Sequence, residues 1–289
     1  MPHQPSPHEI GLRDAAERLG VHYMTAYRYV RLGTLPATKV AGEWRVRAAD
    51  LEQFTQREDS APGAGGIRWP KYRSQLRDRL LRGDEPGAWA VIQQALASGG
   101  EPRDVLLELV APVLAQVGDE WRTGDLDVAD EHRASAVATR LIGRLGPSFA
   151  RRGRKRGAVV VGAPAGDHHS IPCAILGDVL RGEGFEVIDL GADTPHESFV
   201  RSAMERDDLV AVAISVGWDG ALENASALAT ELHQQIPGIT VFLGGPAVSN
   251  RREARRLGAD EYGANGAEVA TRCTELLQAS KRPASRPPR

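Results

Sequence analysis

"AVVVGAPAGDHHSIPCAILGDVL", residues 158 to 180, joins an apolar run to a helix-like segment through a short loop that holds two adjacent histidines. The run "AVVVGAP" reads as a strand and "CAILGDVL" as part of a helix. Four more runs follow in the same rhythm, "FEVIDLG", "LVAVAISV", "ITVFLGG" and "ADEYGA", with helical stretches between them and a last helix "GAEVATRCTELL". Five strands alternating with helices predict a parallel, doubly wound sheet. In a flavodoxin-like strand order the ligand crevice lies beyond the carboxyl ends of the strands. The loop "GDHHSIP", residues 166 to 172, falls at that crevice. A histidine there is not a core residue, so it is a ligand, an acid–base group, or without a role.

Outward from this region the chain divides by punctuation. It has 289 residues, 42% hydrophobic and 26% charged, which suits two or three domains with at least one sizeable core. "EDSAPGAGG" (58 to 66) reads as a linker, "RRGRKRG" (151 to 157) as a solvated connection, and "SKRPASRPPR" as a tail too polar to pack. The expected boundaries are 1–57 for a DNA-binding domain, 58–68 for a linker, 69–150 for a four-helix bundle, 151–279 for the α/β domain and 280–289 for a disordered tail. No apolar run is long enough to span a membrane and no signal-like leader opens the sequence, so a cytoplasmic protein with no membrane partner is expected. With only two cysteines, Cys173 and Cys273, neither a disulfide framework nor a thiolate metal cage is expected.

The first block is basic. Residues 20 to 49 carry Arg28, Arg31, Lys39, Arg45 and Arg47 against Glu43 alone, an excess of 5 − 1 = +4 that points to a polyanion. "LRDAAERLG" and "MTAYRYVRLG" read as two helices ended by Gly20 and Gly33, the spacing of a helix-turn-helix. The second helix would offer Thr25, Tyr27, Arg28 and Arg31 to DNA, while a hairpin wing at "KVAGEWRV" would offer Lys39, Arg45 and Arg47 to phosphates. This stretch, with its "GEWRV" and "DLEQF" ending, resembles the winged helix-turn-helix of the MerR/excisionase superfamily over residues 9 to 57.

The second block has no strand signal and reads as four helices. In "PRDVLLELVAPVLAQVGDEW" the residues Leu106, Leu109, Val113, Val117 and Trp121 form an apolar stripe, on which Trp121 alone would be read as core. The following helix "DVADEHRASAVATRLIGRL" opens with acids suited to its dipole. Its Ala134, Ser135, Ala136 and Ala138 permit close approach of a neighbour. Taken alone, Glu131 and His132 read as a surface pair.

Catalytic readings of the histidine loop are weak, because no nucleophile elbow, Walker loop or GxGxxG is present. Metal coordination is more natural. An imidazole binds cobalt, iron or zinc through one nitrogen, and Asp167, two residues before His169, can accept the proton of the other. One imidazole cannot build a site alone, but it can be an axial ligand to a metal held by a macrocycle.

Asp167-His168-His169, Ser215-Val216-Gly217 and Gly244-Gly245 follow the first, third and fourth strands. They resemble the DxHxxG, SxL and GG signatures of the cobalamin-binding domain. The resemblance implies that His169 is the lower cobalt ligand and that Ser215, Gly217, Gly244 and Gly245 line a slot for the displaced nucleotide tail. Small side chains at Gly244 and Gly245 would let that tail approach the backbone. Pro172 replaces the second glycine of DxHxxG and Gly217 replaces the leucine of SxL, though a proline is acceptable in a helix's first turn.

Trp121 is followed after nine residues by Glu131-His132. With a helix-turn-helix before it and a cobalamin domain after it, this pattern resembles the CarH-type cobalamin photoreceptors. The resemblance implies adenosylcobalamin as cofactor, with Trp121, Glu131 and His132 at its upper face and His132 as a candidate cobalt ligand after photolysis. It also implies a dark tetramer that dissociates in light and releases a DNA operator. The expectation is a multidomain α and α/β regulator with no enzymatic activity. Two rivals stand beside it: a regulator that senses cobalamin abundance or redox state without light chemistry, and a corrinoid carrier of a methyltransferase system.

Overall fold

The computed structural model describes residues 9–19, 23–31, 35–40, 43–59 and 67–280. The chain separates into two units, residues 1–100 with 112–134, and residues 101–111 with 135–289.

In the first unit, β1 (Glu9–Gly11) leads into α1 (Leu12–Arg18), followed by α2 (Tyr23–Arg31), β2 (Thr38–Val40), β3 (Glu43–Arg47) and α3 (Ala48–Asp59). β3 pairs antiparallel with β2 on one side and β1 on the other, so the expected hairpin gains a third strand that the sequence reading missed. Three residues are too few for a period-two pattern to register. The apolar positions of both helices converge with Leu35, Val46, Leu51 and Phe54 into one small core. α3 runs through Asp59, so Glu58 and Asp59 are helical, not linker. Gly20 and Gly33, most of the expected linker and the tail from 281 lie outside the described residues.

α4 (Trp69–Leu81) and α5 (Glu85–Ala97) follow, each with a proline in its first turn, where the missing N–H has no helical partner to lose. Asp84 caps α5 by accepting from the Gly87 amide at 2.9 Å. A short α6 (Pro102–Asp104) continues through a π-helical stretch, Val105–Val110, into α7 (Ala111–Thr123), and α8 (Val128–Leu145) comes next. Region 69–150 is therefore helical without strands among its residues, as its patterning predicts. On α8, Ala134 and Ala138 are buried, but Ala136 is exposed, so the small-residue face is narrower than the sequence suggests.

In the second unit β4 (Ala158–Gly162) is buried at every residue, because it lies between two parallel neighbours, β5 (Glu186–Asp189) and β6 (Leu209–Ser215). β7 (Val241–Gly244) and β8 (Glu261–Gly263) extend the parallel sheet in the order β5-β4-β6-β7-β8, the flavodoxin-like order expected. The connecting helices are α9 (Ile171–Gly182), α10 (His196–Met204), α11 (Leu222–Gln235) and α12 (Arg251–Arg256), and α13 (Gly266–Ser280) closes the unit. Successive side chains of β4 alternate between two cores. Val160 packs with Val212, Ile214 and Phe199, whereas Val159 and Val161 pack with Ala211, Ala213 and Phe185. Pro172 occupies the first turn of α9, so its departure from the DxHxxG pattern leaves the helix intact.

Candidate cofactor site

The loops after β4, β6 and β7 meet at the carboxyl edge of the sheet. The first turns at Gly166, whose φ of 83° needs a glycine, and then presents Asp167 inward and both histidines outward. Asp167 is fully buried. Its Oδ1 lies 2.7 Å from His169 Nδ1 and accepts the His169 amide at 3.1 Å, while its Oδ2 accepts the Gly217 amide at 2.5 Å. Burial alone would raise the Asp167 pKa, but these hydrogen bonds outweigh it and hold the carboxyl below the ordinary carboxylate value. An ionised Asp167 has no proton to give, so the proton in the Asp167–His169 bond belongs to Nδ1 of the ring. The lone pair then resides on Nε2, the nitrogen on the far side.

The His169 side chain is 52% exposed and its ring lies across Gly217. A Cβ at Gly217 would overlap that ring, so the glycine where the SxL pattern has leucine is what lets His169 take this position. His168 is 80% exposed, 3.9 Å from the Asp193 carboxylate, and takes no part in the Asp167 arrangement. Of the two histidines, only His169 is oriented by a buried group.

Ser215 is buried at the end of β6, in register with Gly244 on β7. The glycine pair has a nearer reason than ligand approach. A Cβ at Gly244 would run into the Gly263 carbonyl on β8, and Gly245, at φ 99°, abuts the Val216 backbone. Sequence reasoning missed three residues that hold the histidine loop. Asn224 Nδ2 donates to the Ala165 carbonyl at 2.7 Å, Trp218 Nε1 to the Gly166 carbonyl at 3.1 Å, and the Gly166 amide donates to Asp193 Oδ1 at 2.7 Å. Asp193 has φ 50°, the one positive value outside glycine among the described residues. No local signal marks contacts that span 27 to 59 positions in sequence.

Along the helical run from Val105 to Thr123 the apolar stripe is buried through Val117 and stops there, since Leu106, Leu109, Val113 and Val117 are at most 1% exposed and Trp121 is 47% exposed. The preceding residue marks the change. Glu120 takes a two-pronged ion pair from Arg77 of α4, at 2.6 Å for the shorter contact, so the contacts of this helix end are polar where the stripe stops. Trp121 is thus a surface aromatic and not the core residue that spacing alone implies. His132 is exposed as well, with Nδ1 2.6 Å from the Glu131 carboxylate.

Of the expected DNA contacts, Arg31 at the end of α2 and Lys39 on β2 are exposed. Lys39 lies over the Trp44 ring at 5.9 Å and Arg45 lies 3.4 Å from Glu43. Arg47 is less available than expected, being paired with Asp50 at 2.7 Å, and Tyr27 packs partly against the small core beside Tyr23. The Thr25 and Arg28 side chains lie outside the described residues.

This geometry suits a corrinoid. A single oriented imidazole stands at the carboxyl edge of a flavodoxin-like sheet, and among the described residues no three His, Cys, Asp or Glu side chains converge as a metal site. A B12 binding domain model matches residues 157–271, a second B12 binding domain model matches residues 72–145, and a helix-turn-helix domain model matches residues 11–59. The chain carries cobalamin-binding domains behind a helix-turn-helix domain. It is 26% identical over 209 residues to trimethylamine corrinoid protein 1 of Methanosarcina acetivorans, covering 71% of this chain and 96% of that one. It is 28% identical over 212 residues to the dimethylamine corrinoid protein of Methanosarcina barkeri, covering 70% and 96%. The structure of the Methanosarcina barkeri monomethylamine corrinoid protein shares its fold, with a TM-score of 0.64 at 21% identity over 72% of this chain and 99% of the other. No described helix is long and apolar enough to cross a membrane.

Proposed function

We propose that this protein is a light-responsive transcriptional regulator that binds adenosylcobalamin and changes its oligomeric state and DNA affinity on illumination. The observation that carries the reading is the exposed Trp121 that ends a buried stripe, with an exposed His132 paired to Glu131, in a chain that joins a helix-turn-helix to cobalamin-binding domains. His169, oriented by Asp167, would hold cobalt through Nε2. Ser215, Gly217, Gly244 and Gly245 would border the nucleotide tail. When bound, adenosylcobalamin supplies a cobalt–carbon bond that green light cleaves.

The chain's own residues would convert that event into dissociation of the dark assembly. Trp121, Glu131 and His132 would contact the adenosyl group, and a ligand shifts an equilibrium only as far as it binds one state better. His132 is the candidate second nitrogen donor once the adenosyl group is gone. The winged helix-turn-helix, a four-helix bundle over 69–150, a dark tetramer, a cytoplasmic location and the absence of enzymatic turnover all belong to this reading. An absorption spectrum and gel filtration of protein loaded with adenosylcobalamin, before and after green light, test it. A spectrum and elution volume both unchanged by light would move the protein to the cobalamin-abundance or redox class.

The corrinoid relatives favour a second reading, a carrier of a methyltransferase system. A carrier has no use for a helix-turn-helix domain or for exposed Trp121 and His132, which is why the regulator is preferred.

A further inference from the structure

From His132 to Gly166 the sequence contains eight lysines and arginines and no aspartate or glutamate. Most of that charge is concentrated in the loop 151–157, immediately before β4. In a parallel sheet this loop is at the amino edge, opposite the edge that carries His169. Arg151, Arg152, Arg154 and Lys155 are all exposed, and none of them forms an ion pair among the described residues. Elsewhere in the same unit arginines find carboxylates: Arg181 with Asp178, Arg206 with Glu186, and Arg272 with Glu261. The acids that border the loop are already engaged, Glu183 by Arg103 at 2.9 Å and both Glu186 and Asp208 by Arg206 at 2.7 and 2.9 Å.

The loop is anchored, which a mere solvated connection does not require. Arg156 donates from its amide to the Gly184 carbonyl at 3.0 Å and from its guanidinium to the Glu183 carbonyl at 3.1 Å, and it lies 5.2 Å over the Phe185 ring. Gly153 turns the chain at φ 102°, and Lys155 Nζ donates to the Arg151 carbonyl at 3.1 Å, folding the loop on itself. Four cations therefore project from a fixed arch. Concentrated positive charge whose bordering acids are paired with other arginines is the footprint of a phosphate backbone, and the chain already carries a helix-turn-helix domain.

We infer that Arg151, Arg152, Arg154 and Lys155 form a second, sequence-independent DNA surface that binds duplex phosphates. This rests on the DNA-binding part of the proposed function. Such contacts lower affinity with rising salt by about 0.9 in log–log slope for each phosphate neutralised.

The test uses the full chain and a fluorescein-labelled duplex of random sequence, titrated between about 50 and about 200 mM salt. A variant with Arg151, Arg152, Arg154 and Lys155 all changed to glutamine should bind the duplex roughly tenfold more weakly. Its salt slope should be shallower by about two to four. An Arg201, Arg252 and Arg255 glutamine variant, which removes exposed charge elsewhere in the unit, should leave both unchanged. Cobalamin uptake and circular dichroism of each variant report folding. Unchanged affinity and slope in the quadruple variant, or an equal loss in the control variant, would overturn the inference. Loss of binding only to vesicles of anionic phospholipid, with duplex binding intact, would also overturn it. If the wild type binds neither this duplex nor any operator, the DNA-binding reading itself fails, which is a separate outcome.

Discussion

Replacing the His169 imidazole should sharply reduce the cobalamin that survives gel filtration, whereas His168→Ala should retain it, because only His169 is oriented by buried Asp167. Equal retention in both variants would remove His169 from the site. The two glycines that depart from or complete the sequence signatures should behave differently from each other. At Gly217 an added methyl meets both the ring and the Cβ of His169, so Gly217→Ala must displace His169 from Asp167 and should hold cobalamin less well. At Gly244 the methyl meets the Gly263 backbone, so Gly244→Ala should cost about 1 to 3 kcal/mol in a thermal or urea melt. The Asp-x-His spacing was legible because two residues suffice to place it. The support from Asp193, Trp218 and Asn224 was not, since each comes from a distant loop whose position only the folded sheet determines. Both cysteines are buried, and burial pushes each thiol up to about 12. A thiolate-specific reagent at about pH 8 should therefore label neither in the native protein and both after denaturation.

At the scale of elements, the helix that ends at Thr123 divides into a buried part and an exposed end. Leu109→Ala should destabilise the protein by about 2 to 5 kcal/mol, as a cavity in a closed core does. Trp121→Ala should change the melting of the cofactor-free protein by less than about 1 kcal/mol, as surface changes usually do, and should impair dark assembly once adenosylcobalamin is added. A comparable loss from both, with or without cofactor, would return Trp121 to a packing role. His132→Ala should assemble in darkness yet lack the two-imidazole absorption spectrum after green light. The periodicity made the helix and its stripe legible. It could not show where burial ends, because Trp121 keeps the helical spacing although no core covers it. The five strands were legible for the opposite reason: β4 is apolar on both faces and bounded by turns, so no other element fits it. β1 was not, being three residues that acquire strand character only by pairing with β3.

For the whole molecule, light should shift gel-filtration volume and operator affinity together when adenosylcobalamin is bound, and neither when it is absent. Arg31→Ala with Arg45→Ala should weaken operator binding without altering cobalamin uptake, since both lie in the helix-turn-helix domain. The connectivity between units has a practical side. Residues 101–111 belong with the α/β unit although the helix they start ends in the other one. Leu107 packs against that unit's core beside Gly266, and Arg103 holds Glu183 at 2.9 Å. A protein engineer who wished to transplant the cobalamin-binding unit onto another DNA-binding head could not cut at the charged loop before β4. The graft would lose a piece of its own core, and a single recombination point that keeps the unit whole must fall before Glu101, carrying Trp121 and His132 along with it.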